Sequence, residues 1–358
     1  MKSFMSDSID LRNCSIEELE KLSVQLGEKK FRGKQIFEWI QKGIEDIDEM
    51  TNLSKNFKNK LKKVSYANDM DILKVLESKL DGTRKYLMAL RDGNIIESVM
   101  MKYKHGNTVC VSTQVGCKMG CGFCASTIDG VVRNLTSGEI VGQVLSIQKD
   151  IGERISNVVL MGSGEPLDNY EGVIKFLEII NDPLGLNIGM RNITLSTCGI
   201  VPKIIDLAQK KLQITLAVSL HAPNDEMRNK IMPINKVYNI KKLLDSCEKY
   251  IKKTNRRVTF EYSLIRGFND SLDNALELSQ KLNGMLCHVN IIPLNEVNER
   301  NLKGSTRERA YEFQRILKKN GIDATVRREM GSDIDAACGQ LRKSYIERAK
   351  NNEYCELK

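Results

Sequence analysis

No apolar run in this chain approaches the ~20 residues needed to span a bilayer. The N-terminus, MKSFMSDSIDLRNC, lacks the apolar stretch of a secretory signal, so the expectation is a cytosolic protein. No low-complexity segment or short-period repeat interrupts the sequence, and nothing in it points to a repeat architecture. Neither sign of charge dominates. The 55 Lys and Arg against 46 Asp and Glu leave a net charge of +9, which suits an anionic partner such as nucleic acid and equally a merely soluble protein. With 41% hydrophobic and 28% charged residues the composition is globular rather than disordered, and 358 residues suffice for one large core with a small accessory domain. What the chain does have is ten cysteines. Without an export signal a disulfide framework is not expected, which leaves metal binding or thiol chemistry.

The chain divides into four stretches. Residues 1–66 read as a helical accessory domain. SIEELEKLSVQLG opens on Ser15 with Glu18 three residues on, a capping-box pattern. RGKQIFEWIQKG keeps apolar residues at helical spacing and closes on Gly43, and DIDEMTNLSKNFKNKLKKV reads as a third helix. Its basic end, Lys55, Lys58, Lys60, Lys62 and Lys63, suits either a solvated face or nucleic-acid contact. Residues 67–103 alternate apolar and polar residues around two Asp-Gly pairs, the signal of a three-stranded antiparallel meander that would link the helices to the main body. From 104 to 331, NTVCVSTQ, ISNVVLMGSG, NITLSTCG, ITLAVSLHA, VTFEYSLIRG and HVNIIPLN alternate with amphipathic stretches. Six β-then-α units predict an α/β fold, an open, partial (β/α)6 TIM-type barrel with its site at the C-terminal ends of the strands. Residues 332–358 form a C-terminal segment that carries DIDAACGQL.

VGCKMGCGFCAS sets Cys117, Cys121 and Cys124 at C-x3-C-x2-C spacing, among glycines that let a backbone wrap closely around an inorganic core. Structural zinc wants four ligands and usually pairs two C-x2-C elements. There is no second such element here, and a zinc site completed by Cys110 or His105 stands as the alternative, in a stabilised RNA-binding module without catalysis. A four-iron cluster held by three thiolates instead leaves one iron open, and the amino and carboxylate groups of S-adenosylmethionine suit that vacancy.

GCKMGCGFCAS, MGSGEPLDNY, SLHAPNDEMRNKIMPIN and GSDIDAACGQLR, in this order over nearly the whole chain, resemble the RlmN/Cfr family of the radical S-adenosylmethionine superfamily. The resemblance implies a methyltransferase for C2 of an adenine in the peptidyl-transferase region of 23S rRNA, and in tRNA anticodon loops; methylation at C8 is the Cfr-like alternative. It implies a [4Fe-4S] cluster on Cys117, Cys121 and Cys124, and two S-adenosylmethionine molecules per turnover. One would methylate Cys338. The other, cleaved by an electron from the cluster, would generate the radical that makes the methylated cysteine add to the base. Such a route has a physical rationale, since C2 lies between two ring nitrogens, is electron-poor and is no nucleophile. Cys110, seven residues before the cluster loop, would release the adduct by forming a disulfide with Cys338, and Glu97 in IIESV would accept a proton. Gly164 and Glu165 would meet the amino end of the cofactor, Ser196, Ser219, Leu220 and His221 its ribose and adenine side, and Asn295 its adenosyl group. Read alone, Glu97 is an exposed strand carboxylate, Ser196 a helix cap, His221 a satisfied strand-end histidine and Asn295 a turn former. The family also implies a flavodoxin or ferredoxin electron donor, and a monomer. Ser163 stands where the commoner family form has methionine. Cys14, Cys198, Cys247, Cys287 and Cys355 match no functional cysteine, and Met119 and Phe123 would shield the cluster. Arg256, Arg257, Arg327 and Arg328 are candidates for RNA contact or for strand-end ion pairs.

Overall fold

Ser15 starts the first helix as its sequence predicts. Its hydroxyl accepts from the Glu18 N–H, while the Glu18 carboxylate accepts from the Ser15 N–H at 2.7 Å. The computed structural model of the chain describes residues 8–68, 70–295 and 300–334. Helices α1 (Ile16–Gln25) and α2 (Arg32–Ile40) cross so closely at Gly33 that a Cβ there would lie 2.3 Å from the Glu20 backbone nitrogen. The third helix is shorter than expected. Asp46 caps only a single 3-10 turn, Ile47–Glu49, and a second cap at Ser54 starts α3 (Lys55–Val64). Two competing caps split what reads as one segment. Three lysines of the basic run are spent inside this unit. Lys58 and Lys60 donate to the carbonyls of Asp48 and Leu26, and Lys62 pairs with Asp46 and Asp48. A two-residue parallel pairing of β1 (Ile9–Asp10) with β2 (Ser65–Tyr66) joins the ends of the unit.

The meander forms as expected: β3 (Met70–Glu77), β4 (Arg84–Leu90) and β5 (Ile95–Tyr103) pair antiparallel, with Gly82 and Gly93 at positive φ in its two Asp-Gly turns. It is more than a linker, because β5 pairs directly with β6 (Gly106–Cys110) and becomes part of the main sheet. The stretch after β6 does not continue as strand. β7 (Gln114–Gly116) and β8 (Val131–Asn134) form a separate hairpin that holds the cysteine loop.

From there strands and helices alternate: α4 (Ser137–Ile151), β9 (Ile155–Leu160), α5 (Tyr170–Asn181), β10 (Ile193–Thr197), α6 (Val201–Lys210), β11 (Thr215–Ser219), α7 (Asp225–Ile231), α8 (Ile240–Thr254), β12 (Val258–Leu264), α9 (Leu272–Leu282), β13 (Cys287–Pro293), α10 (Arg307–Lys319) and β14 (Ala324–Val326). The ten-stranded sheet runs β14-β13-β12-β11-β10-β9-β6-β5-β4-β3, with every pair from β6 to β14 parallel. All six anticipated parallel strands are present, and short β14 adds a seventh. Val158, Leu195, Leu216, Phe260 and Ile291 on one face of these strands are fully buried in a single core that also takes in Leu11, Phe57 and Phe313. Each such side chain contributes ~1.5–3 kcal/mol of burial free energy. The opposite face is only half-buried at Asn157, Thr194, Ser196, Ser219, Thr259 and Asn290, as the two-residue period of a strand requires.

Candidate active site

The cysteine loop leaves β7 through Gly116, whose φ is +80° and whose Cβ, if present, would sit 2.1 Å from the Gly130 carbonyl oxygen. The Cys117 N–H donates to that same carbonyl. Further on, the Gly122 N–H donates to Ile231 at the end of α7, and the Thr127 hydroxyl bonds the carbonyls of Cys121 and Cys124. Cys117 and Cys121 are buried and Cys124 half-buried. Burial first, then the neighbouring Cys124 thiol, pushes the Cys117 pKa up to about 11, and burial with Cys124 and Cys117 does the same to Cys121 more strongly. Two buried thiols that resist ionising, with Cys124 near enough to raise both, fit a metal core whose binding releases their protons to solvent. Among the described residues no three or more His, Cys, Asp or Glu side chains could hold a metal ion, whereas a four-iron cluster needs only one thiolate per iron. The fourth zinc ligands considered from sequence lie elsewhere: Cys110 packs with Val99 and Met101, and His105 stacks on Tyr103 at 5.1 Å. Met119 and Phe123 pack with Cys121, Cys198, Met232 and Ile265, and so cover one side of the loop.

The strand ends beside the loop are tied together by Arg228, to which no motif in the sequence assigns a role, and by Glu165, to which one does. Arg228 is fully buried and donates to the carbonyl oxygens of Cys198, Ser219 and Leu220, and to the Asn235 side chain, at 2.8 to 3.1 Å. It thereby fixes the ends of β10 and β11. Glu165 is buried, which raises its pKa, and its carboxylate accepts from the N–H groups of Cys198 and Leu167 at 2.7 and 2.9 Å. Gly164 stands at φ +111°, and a Cβ there would be 2.7 Å from the Gln114 backbone nitrogen. Only glycine lets this loop approach so closely. Its neighbour Ser163 is buried, with a hydroxyl that has no partner among the described residues. His221 is also at positive φ. Its Nδ1 accepts from the Ser263 N–H at 3.0 Å, its ring meets Phe123 edge-on at 4.8 Å, and burial lowers its pKa to about 3. The imidazole is therefore neutral and committed to the scaffold. Leu220 is buried beside it, and Asn295 is exposed just past β13.

The half-buried face of the sheet encloses a cavity of about 360 Å³ lined by Thr108, Val159, Thr194, Ala217, Thr259 and Glu261, among others. Two-residue periodicity carries Cys110, Ser196 and Ser219 onto the same face, each two positions from a lining residue. Cys110 is paired with Val99 of β5, and Glu97, two residues earlier on β5, shares its face. The Ser112 hydroxyl donates to the Glu97 carbonyl at 2.7 Å. Glu97 is buried rather than exposed, 3.4 Å from the buried ammonium of Lys85. Cys338 lies outside the described residues. The chain leading towards it packs Met330 against the group of Val99, Met101 and Cys110, and Asp333 accepts from the Ser78 hydroxyl and the Lys79 N–H at 2.6 and 2.9 Å. Of the arginines considered for RNA contact, Arg257 pairs with Asp323, Arg256 bonds the Ile214 carbonyl, and Arg327 lines the cavity.

Residues 111–279 match the radical SAM superfamily, and residues 9–67 match the ribosomal RNA large subunit methyltransferase N-terminal domain. The chain is 59% identical over 341 residues to a probable dual-specificity RNA methyltransferase RlmN of Alkaliphilus oremlandii, covering 95% of this chain and 99% of that protein. It is 59% identical over 338 residues to the protein of the same description from Clostridium novyi, covering 94% and 98%. Its fold is similar to the crystal structure of a radical SAM methyltransferase from Sphaerobacter thermophilus, with a TM-score of 0.89 and 43% identity over 93% of this chain and 98% of that one.

Proposed function

The chain belongs to the RlmN family of radical S-adenosylmethionine RNA methyltransferases, and from that premise we propose that it methylates C2 of an adenine in the peptidyl-transferase region of 23S rRNA and in tRNA anticodon loops. The observation that carries this reading is the shared inner face of Glu97 and Cys110 on paired strands beside the cavity, with Met330 of the segment that precedes Cys338 packed in the group of Cys110. The enzyme uses a [4Fe-4S] cluster and two S-adenosylmethionine molecules per turnover.

In this reading Cys117, Cys121 and Cys124 hold the cluster, while Gly164, Glu165, Ser196, Ser219, Leu220, His221 and Asn295 border the S-adenosylmethionine. The bound pair supplies the one-electron chemistry that an electron-poor carbon demands. Gly164 gives the cofactor a backbone surface without a side chain, and neutral His221 holds the turn after β11 in shape. Cys338 carries the new carbon as its methyl thioether. Glu97 takes the proton from C2 of the adduct. Cys110, as its thiolate, then attacks the Cys338 sulfur: the S–S bond forms as the S–CH2 bond breaks, and the electron pair of that bond passes to the carbon attached to C2. A proton from solvent completes the methyl group, and an external dithiol reduces the disulfide before the next turnover. Residues 1–66 act as an RNA-contacting accessory unit, 67–103 as the meander, 104–331 as the catalytic barrel and 332–358 as the tail that delivers Cys338. The protein acts as a cytosolic monomer with a flavodoxin or ferredoxin as electron donor. Among the described residues no helix is long and apolar enough to cross a membrane.

The test is mass spectrometry of nucleosides from RNA treated with anaerobically reconstituted protein. 2-Methyladenosine is expected; 8-methyladenosine alone, or colourless protein with stoichiometric zinc, overturns the reading. Cys110→Ala should accumulate a covalent protein–RNA adduct, and Cys338→Ala should lose methyl transfer while retaining iron.

A further inference from the structure

The cavity has a second wall that the reading above leaves unused. Glu261 lies on β12, separated from the strand of Cys110 by β9, β10 and β11 across the curved sheet. Its side chain lines the cavity although the residue is only 5% exposed. Oε2 accepts from Asn290 Nδ2 at 2.9 Å, and the other carboxylate oxygen has no hydrogen-bond partner among the described residues. Burial makes ionisation of this carboxyl harder, while Arg327, which lines the same cavity just past β14, and the Asn290 amide favour it. A carboxylate stripped of water and given a single amide donor has room for another.

We propose that Glu261 and Arg327 together read the Hoogsteen edge of the target adenine, Glu261 accepting from the N6 amino group and Arg327 donating to N7. Adenine presents a donor beside an acceptor on that edge, whereas guanine presents two acceptors. A carboxylate beside a guanidinium complements the first and sets the Glu261 oxygen against O6 of the second. The same pair orients the base. C2 lies on the edge of the purine remote from N7 and C8. Holding N6 and N7 at the β12–β14 wall therefore turns C2 towards Cys110 and Glu97 and keeps C8 away from them. A flipped base read by its hydrogen-bonding edge is how enzymes that modify nucleobases select their substrate. The inference rests on the methyltransferase reading and supplies it with a physical basis for base choice and regiochemistry.

The experiment compares reconstituted full-length enzyme on RNA stem-loops carrying adenosine, purine riboside (which lacks the N6 amino group) or 7-deazaadenosine at the target position. Wild type should lose roughly 10- to 100-fold in kcat/KM on purine riboside, the worth of one hydrogen bond to a charged group. Glu261→Ala should lose a similar factor on adenosine and no longer distinguish adenosine from purine riboside. Glu261→Gln, which keeps an acceptor, should fall between them. Arg327→Met should erase the distinction between adenosine and 7-deazaadenosine. The proposal is overturned if Glu261→Ala still penalises purine riboside as wild type does, or if wild type shows no penalty. It is equally overturned if the variant only raises KM for S-adenosylmethionine on every RNA, which would make Glu261 a cofactor contact. Iron content and circular dichroism report folding, and if Glu261→Ala fails them the same comparison is decided on Glu261→Gln. Wild-type enzyme that methylates none of the adenosine RNAs would instead sink the function proposed above.

Discussion

The Lys85 ammonium lies 3.4 Å from a carboxylate oxygen of Glu97, with neither side chain more than 7% exposed. Removing one member of a buried ion pair strands the other, at a cost of about 3–5 kcal/mol. Lys85→Met should therefore lower the unfolding free energy by about that amount in urea titrations, and Lys85→Met/Glu97→Gln should recover part of it. A single-variant loss below about 1 kcal/mol would mean that other groups hold the Glu97 charge.

Arg228→Met leaves the carbonyls of Cys198, Ser219 and Leu220 without their common donor. Each buried group left unpaired costs about 1–3 kcal/mol, so thermal denaturation should show a large drop. Arg228→Lys should not rescue it, because an ammonium lacks the planar fork that reaches several acceptors at once. Unchanged melting in either variant would remove Arg228 from the scaffold.

Because the His221 pKa falls from its ordinary 6.5 to about 3, the unfolded chain takes up a proton that the folded one refuses. Stability should fall as pH drops from 6.5 towards 3, by at most about 1.4 kcal/mol per pH unit from this residue, and His221 should have no effect on the slope above 6.5. Glu165 and Glu261, whose pKa values are raised by burial, tilt the other way, so the informative quantity is the difference between wild type and His221→Gln. That difference should grow in favour of the variant as pH falls; a flat difference would show that the folded imidazole is protonated.

Gly164→Ala forces a Cβ to within 2.7 Å of the Gln114 backbone at a φ that side-chain-bearing residues avoid. The strain is on the order of 1–3 kcal/mol. Equilibrium dialysis with the cluster-loaded protein should show S-adenosylmethionine binding weakened by at least about tenfold. Unchanged affinity would mean that the loop does not border the cofactor.

Much of the fold is legible in the sequence because the signals are short-range. The Ser15–Glu18 box, the two Asp-Gly turns and the alternating runs of the six parallel strands each lie within a few residues. The departures come from competition and distance. Asp46 and Ser54 are both good caps, and nothing local says that the helix waits for the second. β14 has only three residues, too few for a period. The three-cysteine loop and the residues quoted from the family's motifs are legible as patterns, but Arg228 and Lys85 are not. A lone arginine in DEMRNKI and a lysine in TRKYL read as surface charges; Arg228 is buried where the ends of β10 and β11 meet, and Lys85 beside Glu97 of the neighbouring strand. Glu97 shows the same limit, since its residue type alone makes it an exposed carboxylate, whereas the fold buries it beside Lys85 on the face it shares with Cys110.

The inner face described above differs from that of a closed eight-stranded barrel, where branched aliphatic side chains stack in layers and fill the middle. Here Thr108, Thr194, Thr215 and Thr259 occupy inward positions alongside Asn157 and Asn290. Threonine keeps the β-branching that strands favour while presenting a hydroxyl. A space lined this way stays hydrated rather than collapsing, because ordered water can satisfy its polar groups. On the proposed function, entry of a nucleobase would exchange water for purine edges in a chamber already open and leave little conformational work for the protein.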